Sequence, residues 1–238
     1  MAIVECIDVR KTYQQGKVSI SALENVNLSI EEGEFVALAG PSGSGKTTLL
    51  NIIGGLDQAD SGKIMVDNRS LGNMSQSHLA NLRLQKIGFV FQAYNLIPVL
   101  TAQENVEFVM QVQGVASHER AQKALEILNE VGLEGMEDRK PAQLSGGQQQ
   151  RVAVARAIVS RPKLVLADEP TANLDSVASA QLMNLFSHLN QHHKITFIIA
   201  THDKRVMAYA KRLIKMRDGK IIGDEQQVPV VDEEVVTV

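Results

Sequence analysis

The chain has 238 residues, of which 44% are hydrophobic and 21% charged. This length supports a sizeable core, and the composition is that of an ordinary globular protein rather than a disordered one. Aromatic residues make up only 4% of the chain, and the net charge is −3. Because nucleic-acid-binding proteins carry a basic surface and often stack bases on aromatic rings, we expect no nucleic-acid partner.

Acidic residues are concentrated near the end of the chain. The segment 223–238 holds five of them and no Lys or Arg, so the remainder carries a net charge of +2. We expect this Val-rich segment to be a flexible tail, with docking as a partner strand as the alternative. Cys6 is the single cysteine, which excludes an internal disulfide and is typical of a protein in a reducing cytoplasm.

The apolar runs of the chain are short. The runs at 35–39, 164–167 and 195–200 are about half a dozen residues long, whereas a membrane-spanning helix needs roughly 20. Glu5 and Asp8 lie where a secretory signal would carry its apolar segment. The sequence therefore predicts neither a membrane span nor a signal peptide, and we expect contact with a membrane only through a partner.

The first part of the chain alternates short apolar runs with a Gly-rich loop and a helical pattern. The apolar–polar alternation in its early runs is typical of half-buried strands, and the later continuous runs are typical of buried ones. The predicted elements, in order, are strands at 3–9, 26–30 and 35–39, a helix at 46–54, and strands at 64–66 and 88–91.

The pattern changes between residues 92 and 160, where β-branched runs disappear and apolar residues recur at helical spacing. Short buried strands resume afterwards and alternate again with helices. This order predicts the α/β class, with a parallel sheet covered by helices on both faces and a helical insert. The predicted elements are helices at 105–112, 119–131 and 146–159, a strand at 163–167, a helix at 176–191, a strand at 195–200, a helix at 203–210, and a hairpin of 212–217 and 220–222.

A Gly-rich loop joins the buried strand at 35–39 to the helix that follows. It matches the pattern G-x-x-x-x-G-K-[ST] of a phosphate-binding loop, in the strand–loop–helix context that the pattern requires. Its backbone N–H groups and the helix N-terminus suit the phosphates of a nucleotide. We expect Lys46 to reach the β- and γ-phosphates, Thr47 to ligate Mg²⁺ and Thr48 to donate to the α-phosphate. The loop consists of Gly40, Pro41, Ser42, Gly43, Ser44, Gly45, Lys46 and Thr47.

Two carboxylates, Asp168 and Glu169, follow the buried strand predicted at 163–167. Ligands of α/β proteins bind at the carboxyl ends of the parallel strands. We therefore expect Asp168 to hold Mg²⁺, usually through water, and Glu169 to accept a proton from the attacking water. An acidic strand cap is the alternative, and the nearby phosphate loop favours the catalytic interpretation.

A second candidate anion site lies about a hundred residues after the phosphate loop. Ser145 suits a helix N-cap, and Gly146 and Gly147 leave backbone N–H groups open to a ligand. Taken alone, an ordinary helix start explains this segment equally well. It reads Leu144, Ser145, Gly146, Gly147, Gln148, Gln149, Gln150 and Arg151.

The segment 144–151 resembles the signature motif of the ATP-binding cassette (ABC) ATPases, and other motifs of that family occur in order over residues 2–222. Tyr13 resembles the aromatic residue that stacks on adenine. Gln92 resembles the Q-loop glutamine, which joins the γ-phosphate and Mg²⁺ to the helical insert. The set of ordered motifs is far more specific than any one of them.

Two later motifs complete the resemblance. The sequence Asn173-Leu174-Asp175 resembles the D-loop of the family, and His202 resembles the switch histidine that contacts the γ-phosphate. The resemblance implies ATP and Mg²⁺ as cofactors and ATP hydrolysis as the reaction. The implied catalytic residues are Glu169, His202, Gln92 and Lys46; the implied metal ligands are Thr47, Gln92 and Asp168; and the implied ATP-binding residues are Tyr13, residues 40–48, Ser145, Gly146, Gly147, Gln148 and Asp175.

The resemblance also implies a fold, namely a P-loop NTPase (RecA-like) parallel-sheet core with an N-terminal antiparallel β subdomain and an inserted α-helical subdomain. A single ABC ATPase domain would span 1–222. Its core would consist of 1–91 and 161–222, its helical insert would be 92–160, and the tail 223–238 would follow.

In this family two cassettes associate head to tail. The resemblance therefore implies a homodimer in which Ser145 and Gly147 of one copy cover ATP held by Lys46 of the other. Each of the two anion sites on one chain would then belong to a different composite site.

Within the family, the segments 91–98 and 100–107 are similar to the lipoprotein-releasing and macrolide-export ATPases, as is the spacer 14–21. Residues 108–110 depart from that group, which often carries a proline there. The similarity implies a peripheral subunit on the cytoplasmic face of the bacterial inner membrane that drives a separate permease. A groove near 94–98 would receive a short helix of that permease.

The cargo implied by this similarity is a lipoprotein, lipid, peptide or macrolide-like compound that is exported or extracted. The main alternative is a cassette of a cell-division or cell-envelope complex that transmits a signal or force without cargo. Cassettes that act on DNA or ribosomes carry long coiled-coil inserts or a second cassette, and this chain has neither. A P-loop kinase or GTPase would not need the segment 144–151.

Two further features have simpler explanations. His188, His192 and His193 include an i, i+4 pair that could ligate a metal, and a solvated helix end is the preferred interpretation. Lys and Arg are frequent between residues 204 and 220. A solvated face is preferred for this region over contact with phospholipid headgroups.

Overall fold

The computed structural model describes residues 1–16 and 18–230. Its elements alternate between strands and helices after an initial β-ribbon. The strands are β1 (Ala2–Gln15), β2 (Val18–Glu31), β3 (Phe35–Ala39), β4 (Ser61–Val66), β5 (Arg69–Ser70), β6 (Ile87–Phe91), β7 (Leu164–Asp168), β8 (Thr196–Thr201), β9 (Arg212–Arg217) and β10 (Lys220–Gln226). The helices are α1 (Lys46–Ile53), α2 (Gln76–Lys86), α3 (Ala102–Val112), α4 (Ser117–Glu130), α5 (Gly146–Ile158), α6 (Ser176–His193) and α7 (Lys204–Met207).

The larger sheet has six strands in the order β10-β9-β3-β8-β7-β6. Its strands β9, β3, β8, β7 and β6 pair in parallel, and β10 pairs antiparallel to β9 at the edge. Every residue of β3 and β8 is buried, which explains why β3 is a continuous apolar run and β8 is apolar between its terminal threonines. The predicted α/β class with a parallel sheet is confirmed.

The smaller sheet has four strands in the order β2-β1-β4-β5, and its long ribbon of β1 and β2 is antiparallel. Both strands extend well beyond the runs predicted at 3–9 and 26–30. In the distal half of the ribbon, residues 10–14 and 18–22 carry exposed or half-buried side chains. Because neither face of the ribbon is buried at these positions, the sequence there lacks the alternation that reveals a half-buried strand.

The helices α3, α4 and α5 pack on one another and on the parallel sheet. Val106 of α3, Leu128 of α4 and Val154 of α5 are fully buried in one cluster with Val90 of β6 and Val165 of β7. All three helices were predicted, each within three residues at either end. The first turns of α3 and α5 are stabilised by reciprocal caps of the Ser/Thr-x-x-Glu/Gln type.

The sequence did not predict α2. Its helical stripe is narrow, because Leu79 and Leu82 are the residues of α2 that are buried. The helix predicted at 203–210 was too long, since α7 ends at Met207. The Gln227 side chain donates to the carbonyl oxygens of Met207 (2.5 Å) and Ala210 (2.7 Å), and these hydrogen bonds satisfy the groups that end the helix.

The tail does not begin at Gly223 as predicted. Strand β10 continues to Gln226, and its carboxylates pair with β9: Asp224 accepts from Arg212 (2.8 Å and 2.7 Å) and Glu225 accepts from Lys215 (2.8 Å). These ion pairs neutralise two of the seven basic side chains between 204 and 220, and a solvated face stays the preferred interpretation of this region. The predicted flexibility of residues 231–238 lies outside the described residues.

In the part of the chain that the structure covers, no helix combines the length and apolar character that crossing a bilayer requires.

Asn105 fixes the loop that leads from β6 into α3. Its fully buried side chain accepts from the Ile97 N–H (2.8 Å) and donates to the carbonyl oxygens of Ile97 (3.1 Å), Leu100 (3.2 Å) and Thr101 (2.8 Å). A side chain without these groups would leave buried backbone polar atoms unpaired, each at a cost of about 1–3 kcal/mol.

We expect Asn105→Leu to lower the free energy of unfolding by about 2–4 kcal/mol, as measured by urea denaturation. The control is Gln122→Leu, which removes an exposed hydrogen bond to Glu126 on α4 and should change the stability by less than about 0.5 kcal/mol. Equal effects of the two substitutions would contradict the role of Asn105.

Candidate functional site

The phosphate loop joins the end of β3 to the first turn of α1. Gly45 precedes the helix with φ of 100°, a left-handed conformation that favours glycine. A Cβ at Gly45 would lie 2.6 Å from the carbonyl oxygen of Ala22. The backbone therefore requires glycine at this position, and the loop wraps closely against β2 at the entrance to α1.

Lys46 lies inside this loop. Its side chain is 6% exposed, and Nζ donates to the carbonyl oxygens of Gly40 (2.8 Å) and Pro41 (3.0 Å). Nζ is also 3.9 Å from Oε1 of Glu169. A buried ammonium group needs such oxygen partners because burial removes its hydration. The position is suited to an amine that binds an anion held by the loop.

Thr47 and Asp168 approach each other from α1 and the end of β7. The Thr47 hydroxyl donates to Oδ1 of Asp168 at 3.1 Å. Burial raises the pKa of the Asp168 carboxyl, and the nearby charge of Glu169 raises it further, whereas the Thr47 hydrogen bond and Lys46 lower it. A hydroxyl and a carboxylate are oxygen donors of the kind that Mg²⁺ prefers, and phosphates and water normally complete its coordination. The two residues therefore fit the predicted metal site.

Glu169 adopts a left-handed backbone conformation with φ of 47°, which is uncommon for a residue other than glycine. Its N–H donates to the carbonyl of Ala200 on β8 (2.9 Å). Its Oε1 lies 2.9 Å from Nδ1 of His202, whose side chain is 66% exposed. The structure thus brings the predicted residues Lys46, Glu169 and His202 into one group.

Gln92 belongs to the same edge of the sheet. It follows β6 directly, and the register of β6 with β7 pairs Phe91 with Asp168. The Asn173 side chain donates to the Gln92 carbonyl at 3.0 Å. The Gln92 side chain is exposed, and its contact with nucleotide and metal stays a prediction.

Tyr13 lies on β1, where its hydroxyl donates to Oδ2 of Asp57 at 2.6 Å. Its hydroxyl also interacts with the side chain of Thr48 on α1. The Tyr13 ring is therefore anchored beside the helix that begins at the phosphate loop. The predicted contacts of Tyr13 with adenine and of Thr48 with the α-phosphate stay predictions.

The signature segment begins α5. Ser145 Oγ accepts from the Gln148 N–H (3.3 Å), and Gln148 Oε1 accepts from the Ser145 N–H (2.9 Å). Asp175 caps α6 by accepting from the Ala178 N–H at 2.8 Å. Ser145, Gly146, Gly147, Gln148 and Asp175 line one cleft of about 380 Å³.

The described residues that line this signature cleft include none of residues 40–47 and neither Glu169 nor His202. The predicted site residues therefore form two groups on one chain. One is the phosphate loop with its carboxylates, and the other is the signature cleft.

The sequence did not reveal Arg156, whose guanidinium on α5 donates to the carbonyl oxygens of Asn95 (2.6 Å) and Tyr94 (2.9 Å). The one sequence signal for Arg156 was its charge within an otherwise apolar stretch of the predicted helix. Arg156 also lines a groove of about 470 Å³ that includes Leu56, Phe89 and Val109. Asn95, which lines this groove, belongs to the segment 94–98 near which the family resemblance implied a groove.

The histidines near the end of α6 do not assemble a metal centre. The rings of His188 and His192 are 4.1 Å apart, and Nε2 of His193 lies 2.5 Å from Oε1 of Glu130. Among residues 1–16 and 18–230, no group of three or more His, Cys, Asp or Glu side chains is placed to hold a metal ion. The predicted Mg²⁺ ligands Thr47 and Asp168 therefore rely on other oxygen donors for the rest of the coordination.

The family profile described as ABC transporter matches residues 23–172. An uncharacterized ABC transporter ATP-binding protein, MJ0796 of Methanocaldococcus jannaschii, is 46% identical over 228 residues, which is 94% of this chain and 97% of that protein. The macrolide export ATP-binding/permease protein MacB of Mannheimia succiniciproducens is 44% identical over 230 residues. That alignment covers 97% of this chain but 36% of MacB, so the chain spans about a third of that relative.

Solved structures agree with this relationship. The dimeric structure of MJ0796 in a post-hydrolysis state, bound to ADP and Pi, superimposes with a TM-score of 0.88 at 45% identity and covers 95% of this chain and 100% of that one. The fold, the order of the motifs and these similarities lead to one conclusion: the chain belongs to the ABC transporter family, as one of its ATP-binding, ATP-hydrolysing cassettes.

Proposed function

We propose that this chain is a cassette that dimerises head to tail and drives a separate membrane permease for the export or extraction of a substrate. The observation that carries the proposal is the separation of the phosphate loop from the signature cleft on one chain. Two antiparallel copies would bring each loop against the signature cleft of the other. The dimeric structures of MJ0796 support this arrangement.

In each composite site the loop residues 40–47 would bind the phosphates of ATP through backbone N–H groups and Lys46. Thr47, Asp168 and Gln92 would hold Mg²⁺, which when bound neutralises part of the phosphate charge. Tyr13 would stack on the adenine. These assignments rest on the oxygen donors that meet beside the loop and on the anchoring of Tyr13 next to α1.

Hydrolysis requires a water molecule to attack the γ-phosphorus while the bond to the β-phosphate oxygen breaks. Glu169 would accept the proton of that water, because its carboxylate reaches the loop and lies 3.9 Å from Lys46. His202 is 2.9 Å from the same carboxylate and would orient it while contacting the γ-phosphate. The products are ADP and phosphate.

We expect Glu169→Gln to bind ATP with nearly unchanged affinity and to hydrolyse it roughly 10²–10⁴-fold more slowly, because the amide cannot accept the proton. Single-turnover assays and equilibrium titration with fluorescent ATP would measure the two quantities. Near-wild-type turnover by this variant would exclude Glu169 as the general base.

In the dimer, Ser145, Gly146, Gly147 and Gln148 would cover the ATP held by the partner copy. The N-terminal N–H groups of a helix bind anions well, and the glycines keep this end of α5 accessible. Asp175 lines the same cleft and would lie at the dimer interface.

We expect Ser145→Arg to abolish hydrolysis without weakening ATP binding to the monomer, since the large cation would block the partner's site. Lys46→Ala should also be inactive, because it loses the ATP-binding amine. A mixture of the two variants should regain hydrolysis, since a mixed dimer contains one composite site with both native residues. A mixture as inactive as its components would show that the two residues do not act in trans.

The groove lined by Leu56, Phe89 and Val109 would receive a short helix of the permease. Its wall is mainly apolar and extends from α2 and β6 to α3 and α5, and amphipathic helices bind in grooves of this kind. The MacB relatives are named as combined ATP-binding/permease proteins, which supports a permease partner. The chain would then be peripheral, on the cytoplasmic face of the bacterial inner membrane.

We expect Leu56→Asp to reduce retention of the chain on membranes of its host at least about tenfold, since a carboxylate in an apolar contact is unfavourable. Hydrolysis by the purified chain should be unchanged. The matched control is Leu125→Asp on α4, because the two leucines are similarly exposed at 48% and 43%. Equal retention of both variants in sedimentation assays would argue against docking in this groove.

A further inference from the structure

Arg156 makes an unusual connection between α5 and the turn that follows Gln92. Its partly buried guanidinium donates one hydrogen bond to the carbonyl oxygen of Asn95 (2.6 Å) and another to that of Tyr94 (2.9 Å). Burial lowers the pKa of this guanidinium. The planar fork of an arginine suits two adjacent carbonyl oxygens, whereas a lysine ammonium presents a single charged centre.

The turn to which Arg156 donates these hydrogen bonds is itself strained. Tyr94 and Asn95 both have positive φ, of 57° and 51°. A single non-glycine residue in this region is uncommon, and two in succession persist only when their surroundings fix them. The Arg156 hydrogen bonds are an external restraint of this kind.

A second contact joins the same turn to the start of α5. A Cβ built on Gly146 would lie 3.0 Å from the Tyr94 hydroxyl, so the end of the tyrosine side chain rests against the signature glycine. Helix α5 therefore contacts Tyr94 twice. Gly146 touches the side chain, and Arg156, nearly three turns later, binds the backbone.

Gln92 lies two residues before Tyr94 and is held from the other side. The Asn173 side chain donates to the Gln92 carbonyl at 3.0 Å, and Asn173 follows Glu169 by four residues. The Gln92 segment is therefore tied both to the loop after the carboxylates and to the helix that carries the signature segment.

We propose that Arg156 is a positioning residue that locks the Tyr94–Asn95 turn to α5, so that Gln92 and the signature segment move as one unit. This inference rests on the proposed function, in which Gln92 contacts the Mg²⁺ and ATP bound by its own copy and Ser145–Gln148 cover the ATP of the partner. Occupancy of one ATP site is then transmitted to the other through Gln92, the turn and α5. In this arrangement Arg156 would act through the turn and would not contact nucleotide itself.

The test is a double-mutant cycle between Arg156→Met, which keeps the apolar bulk of the side chain, and Gln92→Ala. We expect Arg156→Met to lower kcat about 10–100-fold, the range expected from a misplaced catalytic contact. The KM for ATP and the ATP affinity of the monomer should stay within about twofold, because the loop 40–47 is untouched. Arg156→Lys should recover only a minor part of kcat, since it cannot bridge both carbonyls.

If Arg156 acts through Gln92, the double variant should be no slower than Gln92→Ala alone, because the interaction is already lost. The matched control is Arg151→Met, which removes another arginine of α5 that donates to the Val131 carbonyl (3.0 Å) and to Gln181 (2.9 Å). If Arg151→Met lowers kcat, its fold-reduction and that of Gln92→Ala should multiply in the double variant. The proposal would be overturned if the fold-reductions in kcat caused by Arg156→Met and Gln92→Ala multiplied in the double variant.

Tyr94→Ala provides an independent test that changes no residue of α5. It keeps the carbonyl that accepts from Arg156 but removes the contact with Gly146. We expect it to lower the Hill coefficient of hydrolysis for ATP without changing ATP binding to the monomer. An unchanged Hill coefficient would overturn the link through Tyr94.

The result for Gln92→Ala separates this proposal from the proposed function. If Gln92→Ala hydrolyses ATP at the wild-type rate, the assignment of Gln92 fails and the proposal fails with it. If Gln92→Ala is slow and Arg156→Met is not, the proposed function stands and the positioning role of Arg156 is wrong.

Discussion

The register of the parallel sheet is the constraint on which the site depends. Ala39 pairs with Thr201, Asp168 with Ala200, and Phe91 with Asp168. Because neighbouring parallel strands end together, the residues that immediately follow these strand ends must meet at one edge. The phosphate loop, Glu169, Gln92 and His202 are therefore brought together by backbone hydrogen bonds between strands, although up to about 160 residues separate them in the chain.

Burial gives this edge its chemical character. Lys46 is almost fully enclosed and has loop carbonyls and Glu169 as its neighbours, while burial raises the pKa of the Asp168 carboxyl. Charges interact more strongly where water is largely removed. A polyphosphate would satisfy the buried ammonium, and a divalent cation would stabilise the Asp168 carboxylate. Cation and anion are thus more favourable together at this site than either is alone, which is the behaviour expected for ATP with Mg²⁺.

The sequence predicted the buried strands and the site loop well, because both have strong local signals. Strand β3 has the predicted bounds, and α1 and α5 end one residue before their predicted ends. Helix α2 and the distal ribbon were not predicted because few of their side chains are buried. Arg156 could not be assigned a partner, because it binds backbone carbonyls more than sixty residues away. A backbone carbonyl is present at every residue, so no residue type marks it in the sequence.

Helix α5 links the Tyr94–Asn95 turn to the signature cleft, which matters for a dimer of such cassettes. A helix is stiff over its length, and α5 carries Ser145 at one end and Arg156 in its last turn. A shift of the Tyr94–Asn95 turn is therefore carried to the signature cleft instead of being absorbed by a flexible linker. The groove wall contains Asn95 and Arg156, so a helix docked there would contact both the turn and the arginine that binds it. In the proposed dimer, nucleotide at one site, the partner's nucleotide and a docked helix would all act on this one turn, and each would favour the arrangement of the turn that it binds more tightly.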